Sequence, residues 1–106
     1  MKQIFIDKFI IPQNAVEEFI SRMEYNRNFI KNIQGFMKDS VYQSKDENGN
    51  LVIITVAEWK DETALKNAKE LVQTEYKKIG FDPVKMTARL NIKMERGIYN
   101  EFVSPA

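Results

Sequence analysis

Apolar residues along this chain recur with two different periods, and the changes of period divide it into elements. Residues 3–11, "QIFIDKFII", form an Ile- and Phe-rich run that stops at Pro12 and predict a first strand. Its apolar residues occupy both parities, which implies that both faces are covered. Val16, Phe19, Ile20, Met23, Phe29, Ile30 and Ile33 then fall at mostly helical spacing, with a polar gap at Asn26–Asn28. Asn14, with Glu17 three residues on, has the capping-box spacing, and Gly35 is the expected stop signal. A second strand is predicted over 36–44, and "KDENGN" turns the chain through Asn48-Gly49. The third strand, Leu51–Glu58, is the most β-branched run. Asp61 caps a second helix whose Ala64, Leu65, Ala68, Leu71, Val72 and Tyr76 share one face, and Lys77, Lys78 and Gly80 mark its end. Asp82-Pro83 opens a short third helix, "NIKMERGIY" reads as a fourth strand, and residues 103–106 form a loose tail.

The order β-α-β-β-α-(α)-β over a single domain, 1–106, is the ferredoxin-like α+β pattern. It implies a four-stranded antiparallel sheet with helices on one face. On the third strand Leu51, Ile53, Thr55 and Ala57 lie on one parity and Val52, Ile54 and Val56 on the other. An uncovered Val/Ile face is an association surface, so the expected assembly is a homodimer whose sheets face each other or close into a dimeric α/β barrel.

Composition removes several chemistries. Sixteen basic and fifteen acidic residues leave a net charge of +1 with no block of either sign, which gives no electrostatic case for nucleic acid or an anionic membrane. There is no Cys and no His, so disulfides, thiolate catalysis and imidazole ligands for zinc or haem are excluded. No apolar run approaches the ~20 residues of a membrane span, and "MKQIFIDKFIIPQN" is too broken for a signal sequence; the expected location is the cytoplasm. "IFIDKF" (Ile4–Phe9) is similar to half of an RNA-recognition motif, but that module also needs stacking aromatics on strand three, and "LVIITVAE" has none.

The element order, "FIKNIQGFMKDSVYQ" and "VIITVAEWKDETALKNA" together resemble the antibiotic biosynthesis monooxygenase family of the dimeric α+β barrel group, over roughly residues 2–102. In that family a strand ending in Glu-Trp followed by Asp/Ser-x-x-Ala-(Leu/Phe) is a recurrent feature, here Glu58-Trp59 and Asp61 to Leu65. The resemblance implies a cofactor-independent monooxygenase acting on a small aromatic, polyketide or quinol-type molecule, with neither metal, flavin nor haem. It equally admits a non-catalytic dimer that binds a small hydrophobic ligand, or a stress-related protein of the same fold. The family's haem-degrading branch is similar in outline, but it uses a His and a second Trp on helix two and an Asn on strand one. This chain has Asp7 at about that Asn position and neither His nor Trp in helix two.

Several residues are candidates for the site. Asp7, among Phe5, Ile6 and Phe9, is a candidate general base if burial leaves it unpaired; the alternatives are an ion pair with Lys93 or Arg96 of strand four, or an exposed position. Tyr25, Tyr42, Tyr76 and Tyr99 supply hydroxyls, with Tyr76 the candidate catalytic phenol, and Asn26, Arg27 and Asn28 supply donors for a developing oxyanion or else form a solvated face. Phe29 and Met86, with Met23, Met37 and Met94, line an adaptable pocket or simply fill the core. Trp59, the only Trp, either stacks on a planar substrate or wedges the strand–helix corner, against Leu65 among others; packing is the commoner use. The acidic residues at turns and helix starts, such as Asp46 and Asp61, read as caps rather than cation ligands.

Overall fold

The computed structural model describes residues 1–105, and the end of the tail expected at 103–106, Ala106, lies outside them. The elements are β1 (Gln3–Ile11), α1 (Val16–Ile30), β2 (Phe36–Lys45), β3 (Leu51–Trp59), α2 (Glu62–Ile79), α3 (Pro83–Arg89) and β4 (Lys93–Tyr99). All pairings are antiparallel and the sheet order is β2-β3-β1-β4, with β1 central between β3 and β4. This is the expected ferredoxin-like α+β sheet.

Local signals explain most boundaries. The Asp61 side chain accepts from the Ala64 backbone N–H at 2.8 Å, satisfying one of the free donors at the start of α2. Asp82 does the same for Lys85 at 3.1 Å ahead of Pro83. Gly80 closes α2 in the left-handed region at φ 69°. Asp46 holds the β2–β3 turn by accepting from the backbone of Asn48 and Asn50 and from the Asn50 amide, and these bonds hold its carboxyl below the usual value, the Asn50 amide contributing most.

Two expectations at α1 need correction. Asn14 makes no capping bond; Gln13–Ala15 form a 3₁₀ turn after Pro12, whose carbonyl accepts from the Ala15 N–H at 2.9 Å. Buried Ala15 tucks under the sheet at the helix start instead. Gly35 is not the residue that ends the helix either, because α1 stops at Ile30 and a turn follows. Gly35 lies at φ 90°, and a Cβ there would overlap the Ala64 Cβ. Its carbonyl accepts from the Lys60 N–H at 2.8 Å, so the glycine brings the end of α1 against the start of α2.

The two faces of the sheet differ. Phe5, Asp7, Phe9 and Ile11 of β1 are in register with Ala57, Thr55, Ile53 and Leu51 of β3, and this set faces the helices. Ile4, Ile6 and Ile10 pair with Glu58, Val56 and Val52 on the opposite, helix-free face, where Ile54 also stands, and these apolar side chains are only half-buried. On β2 a bulge between Phe36 and Lys38 leaves Met37 unpaired and exposed. An extra residue reverses the alternation that follows. Asp39 therefore stands opposite Ala57 on the helix side, where strict alternation from Phe36 would have placed Lys38.

Beneath the helices the core divides. One cluster is Ile11, Ala15, Phe19, Ile53, Met86 and Ile92; the other is Ile30, Ile33, Trp59, Leu65 and Ala68. Small residues at Ala57 and Ala68, and the charged Asp7, stand along the contact between sheet and helices. A domain of this size has little core to spare, so the gap between the clusters marks the place where packing is incomplete.

Candidate functional site

A cleft of ≈ 570 Å³ lies in that gap, between the helix face of the sheet and α1, α2 and α3. It is within the size range of small-molecule sites. Its floor is Phe5, Asp7 and Phe9 of β1, Thr55 and Ala57 of β3, and Met94 and Arg96 of β4. Arg22, Asn26 and Arg27 of α1 form one wall, and Lys69, Val72, Gln73 and Tyr76 of α2 the other. The spacings 22-26 and 69-72-76 put each group on one side of its helix. Phe81, Val84 and Met86 close one end and Trp59 the other.

Asp7 and Arg96 meet on the floor because their strands are neighbours in register. The Arg96 Nε–H donates to Asp7 Oδ1 at 2.7 Å and Nη2–H to Oδ2 at 3.0 Å, a two-pronged pair. The Asp7 side chain is 14% exposed and that of Arg96 51%, so the carboxylate is sheltered and the guanidinium reaches toward solvent. The hydrogen bond to Asp7 raises the Arg96 pKa above its ordinary value, keeping the cation charged. Of the three situations the sequence allows for Asp7, the ion pair to strand four is the one present, and its partner is Arg96.

The Tyr76 phenol is pushed above the ordinary value of 10.0, first by burial and against the opposing pull of Arg96 and Arg22. It is a protonated donor at neutral pH. Its ring packs edge-on against Phe81 at 5.0 Å. Arg27 donates from Nε to Asp39 Oδ2 at 2.6 Å and from Nη1 to Glu24 Oε1 at 2.9 Å. Its charge is thereby matched, and its pKa raised chiefly by the bond to Asp39. Asn26 and Trp59 each bury a polar atom without a protein partner, the amide oxygen Oδ1 and the indole Nε1–H respectively. An acceptor and a donor left open on the same cleft are what a bound polar group or water can satisfy.

Trp59 is 2% exposed, meets Phe36 edge-on at 5.5 Å and belongs to the cluster with Leu65. It is the corner wedge, and the cleft-facing side of that wedge is also the pocket's end wall. Met86 is core and wall together. Phe29 does not reach the cleft: it lies one residue, about 100° of helix, from Ile30, and packs against the Trp59 cluster. Tyr25 is exposed and donates to Glu75, and Tyr42 and Tyr99 are exposed on strands at the opposite face.

Sequence reasoning missed Arg22, Lys69 and Asp39. The first two share helical spacing with lining residues that are apolar or polar, a signal available in the periodicity. Asp39 was hidden by the bulge, which no residue in "FMKDSV" announces.

No protein-family model matches the chain, and no curated protein matches it by sequence. Solved structures do match by fold. SnoaB from Streptomyces nogalater, described as a cofactor-independent oxygenase, is 19% identical over 97% of this chain and 95% of its own, with a TM-score of 0.67. A protein from Shewanella loihica PV-4, provisionally named a monooxygenase, is 21% identical over 97% and 96%, with a TM-score of 0.70. A dimeric ferredoxin-like protein from an uncultured marine organism is 15% identical over 96% and 98%, with a TM-score of 0.66. The fold is thus one that named monooxygenases share, and at these identities the likeness is one of fold.

Proposed function

We propose that this protein is a homodimeric, cofactor-independent monooxygenase of a small aromatic, polyketide or quinol-type molecule held in the cleft. The observation that carries the reading is the sheltered Asp7–Arg96 pair on an aromatic floor beside the Tyr76 phenol. The likeness of fold to proteins named as oxygenases supports it.

The chemistry follows from a substrate whose own electrons reduce dioxygen. Asp7 accepts a proton from an acidic C–H or O–H of the ligand, and the resulting enolate or phenolate takes over the Arg96 charge that Asp7 releases. The anion gives one electron to dioxygen, and the substrate radical and superoxide combine as a peroxide. That peroxide takes up a proton and loses water, leaving a carbonyl where the ring carried CH₂. One oxygen atom enters the product and one leaves as water. Tyr76 and Arg96 are donors to the developing oxyanion, worth typically two to three orders of magnitude in rate per donor. Tyr76 serves in this scheme as a donor and not as the base, because burial favours its neutral form.

The helix-free sheet face is the proposed dimer surface. Ile4, Ile6, Ile10, Val52, Ile54 and Val56 make it a two-strand, largely apolar patch around Lys8, and face-to-face packing of two such sheets removes the apolar residues from water.

A second reading has one observation in its favour. Asp7 is already engaged by Arg96 through both oxygens, as in a structural pair, which suits a dimer that binds its ligand without turning it over. Oxygen uptake with anthrones and hydroquinones separates the two. The monooxygenase reading expects uptake above the uncatalysed rate and its loss in Asp7→Asn, with ligand binding retained. Uptake at the uncatalysed rate, with binding intact, leaves the second reading.

A further inference from the structure

Among the residues lining the cleft, cations outnumber carboxylates four to two. Six charged residues line it: Asp7, Asp39, Arg22, Arg27, Lys69 and Arg96. Arg96 is matched by Asp7, and Arg27 by Asp39 and Glu24. Among the described residues, Arg22 and Lys69 have no ion-pair partner. Glu18, one turn before Arg22, is ion-paired to Arg89 while still feeling the Arg22 charge, and Glu75, on the facing helix, accepts the neutral Tyr25 hydroxyl; neither is in an ion pair with Arg22 or Lys69.

Both free cations are nonetheless held in position over the cleft's aromatic rings. The Arg22 guanidinium sits 4.3 Å from the centroid of Phe81, and the Lys69 ammonium 5.2 Å from that of Phe5. Such contacts are worth about 0.5–1 kcal/mol at exposed sites, enough to favour a position while leaving the charge itself unmatched. Arg96 also lies over Phe5, at 4.9 Å from its centroid, so three of the four cations of the cleft border its aromatic lining.

We infer that the cleft selects an anionic aromatic ligand: a planar ring system bearing a carboxylate, with the carboxylate taken by Arg22 and its charge further balanced by Lys69. This deepens the monooxygenase proposal, resting on the same cleft, by naming the charge of its substrate. A guanidinium suits the task because its fork can meet both oxygens of a carboxylate in one plane. The inference does not use the Asp7–Arg96 pair, which remains free for the reacting end.

Calorimetric titration of the purified protein with 2-naphthoate and with 2-naphthamide tests it. The two probes have nearly the same shape and differ in charge. The carboxylate is expected to bind at least ~10-fold more tightly, a difference of about 1.4 kcal/mol, and to weaken as salt rises. Arg22→Gln is expected to remove most of that preference by weakening carboxylate binding far more than amide binding. Lys69→Gln is expected to reduce the preference by a smaller factor. Equal binding of the two probes to the wild type overturns the anionic inference and leaves the small-molecule cleft standing. A preference that survives Arg22→Gln in a folded variant overturns the assignment of the carboxylate to Arg22. Failure of both probes to bind overturns the inference together with the ligand-binding reading on which it rests.

Discussion

Replacing Gly35 by alanine separates two costs that the structure assigns to one position. At φ 90° any L side chain is strained, and at Gly35 the new Cβ also runs into the Cβ of Ala64. Gly49 offers the control, since it lies at φ 78° with nothing within 4 Å of a Cβ. Left-handed backbone costs about 1–2 kcal/mol per residue, and alanine returns ~0.4–1 kcal/mol by restricting the unfolded chain. Gly49→Ala is therefore expected to cost no more than ~1.5 kcal/mol. Overpacking at Gly35 adds about 1–3 kcal/mol, so Gly35→Ala is expected to lose ~2–4 kcal/mol. In a domain of this length each 1 kcal/mol lowers Tm by roughly 4–8 °C, which separates the variants clearly. Urea unfolding at one fixed protein concentration gives the energies, because dissociation of an assembly would otherwise enter the measurement. Ala64→Gly removes the obstructing methyl, so the double variant is expected to lose less stability than the two single variants combined. If Gly35→Ala costs no more than Gly49→Ala, or if Ala64→Gly shows no coupling, the close approach of α1's end to α2 is wrong.

Two further outcomes are expected. Ile54→Lys, at the middle of the helix-free face, is expected to convert the proposed dimer to a monomer without unfolding it, as sedimentation velocity and circular dichroism will show; an unchanged sedimentation coefficient would exclude that face as the interface. Stability is expected to fall as pH rises above the ordinary tyrosine value of 10.0, because burial raises Tyr76 and the hydrogen bond to Glu75 raises Tyr25. The sign follows from proton binding: above that pH the unfolded chain releases its phenolic protons first, so the folded state holds more protons and loses ground until its own raised values are passed. Tyr76→Phe will shallow that decline; an unchanged slope would contradict the burial of the phenol.

Periodicity and punctuation residues carried most of the fold. "QIFIDKFII" ending at Pro12, the Asp61 and Asp82 caps and Asn48-Gly49 each act through local chemistry, and β1, the β2–β3 turn and the starts of α2 and α3 follow from them. Asn14 misled because its local signal competes with the burial of Ala15 and the turn at Pro12, which are tertiary facts. The site was less legible. The sequence brought forward Asp7, Asn26, Arg27, Tyr76, Trp59 and Met86, all of which line one cleft, since each stands on the inward side of a regular element. Phe29, also brought forward, does not line that cleft, because one residue of helix turns its side chain away. The sequence offered Lys93 and Arg96 of strand four as partners for Asp7 but could not choose between them, since the pairing depends on strand register across 89 residues of chain. Asp39 was hidden, because its direction depends on a bulge.

The central claim is that one atom of dioxygen enters an aromatic ligand in this cleft without any added cofactor. Turnover of an anthrone under ¹⁸O₂ by protein shown to be free of metal and flavin tests it most directly, with the product read by mass spectrometry. The expected product is a ketone carrying one labelled oxygen, with the second label in water, and enzyme-dependent product is lost in Asp7→Asn. An unlabelled product, or labelled product formed at the same rate with and without the protein, would contradict it.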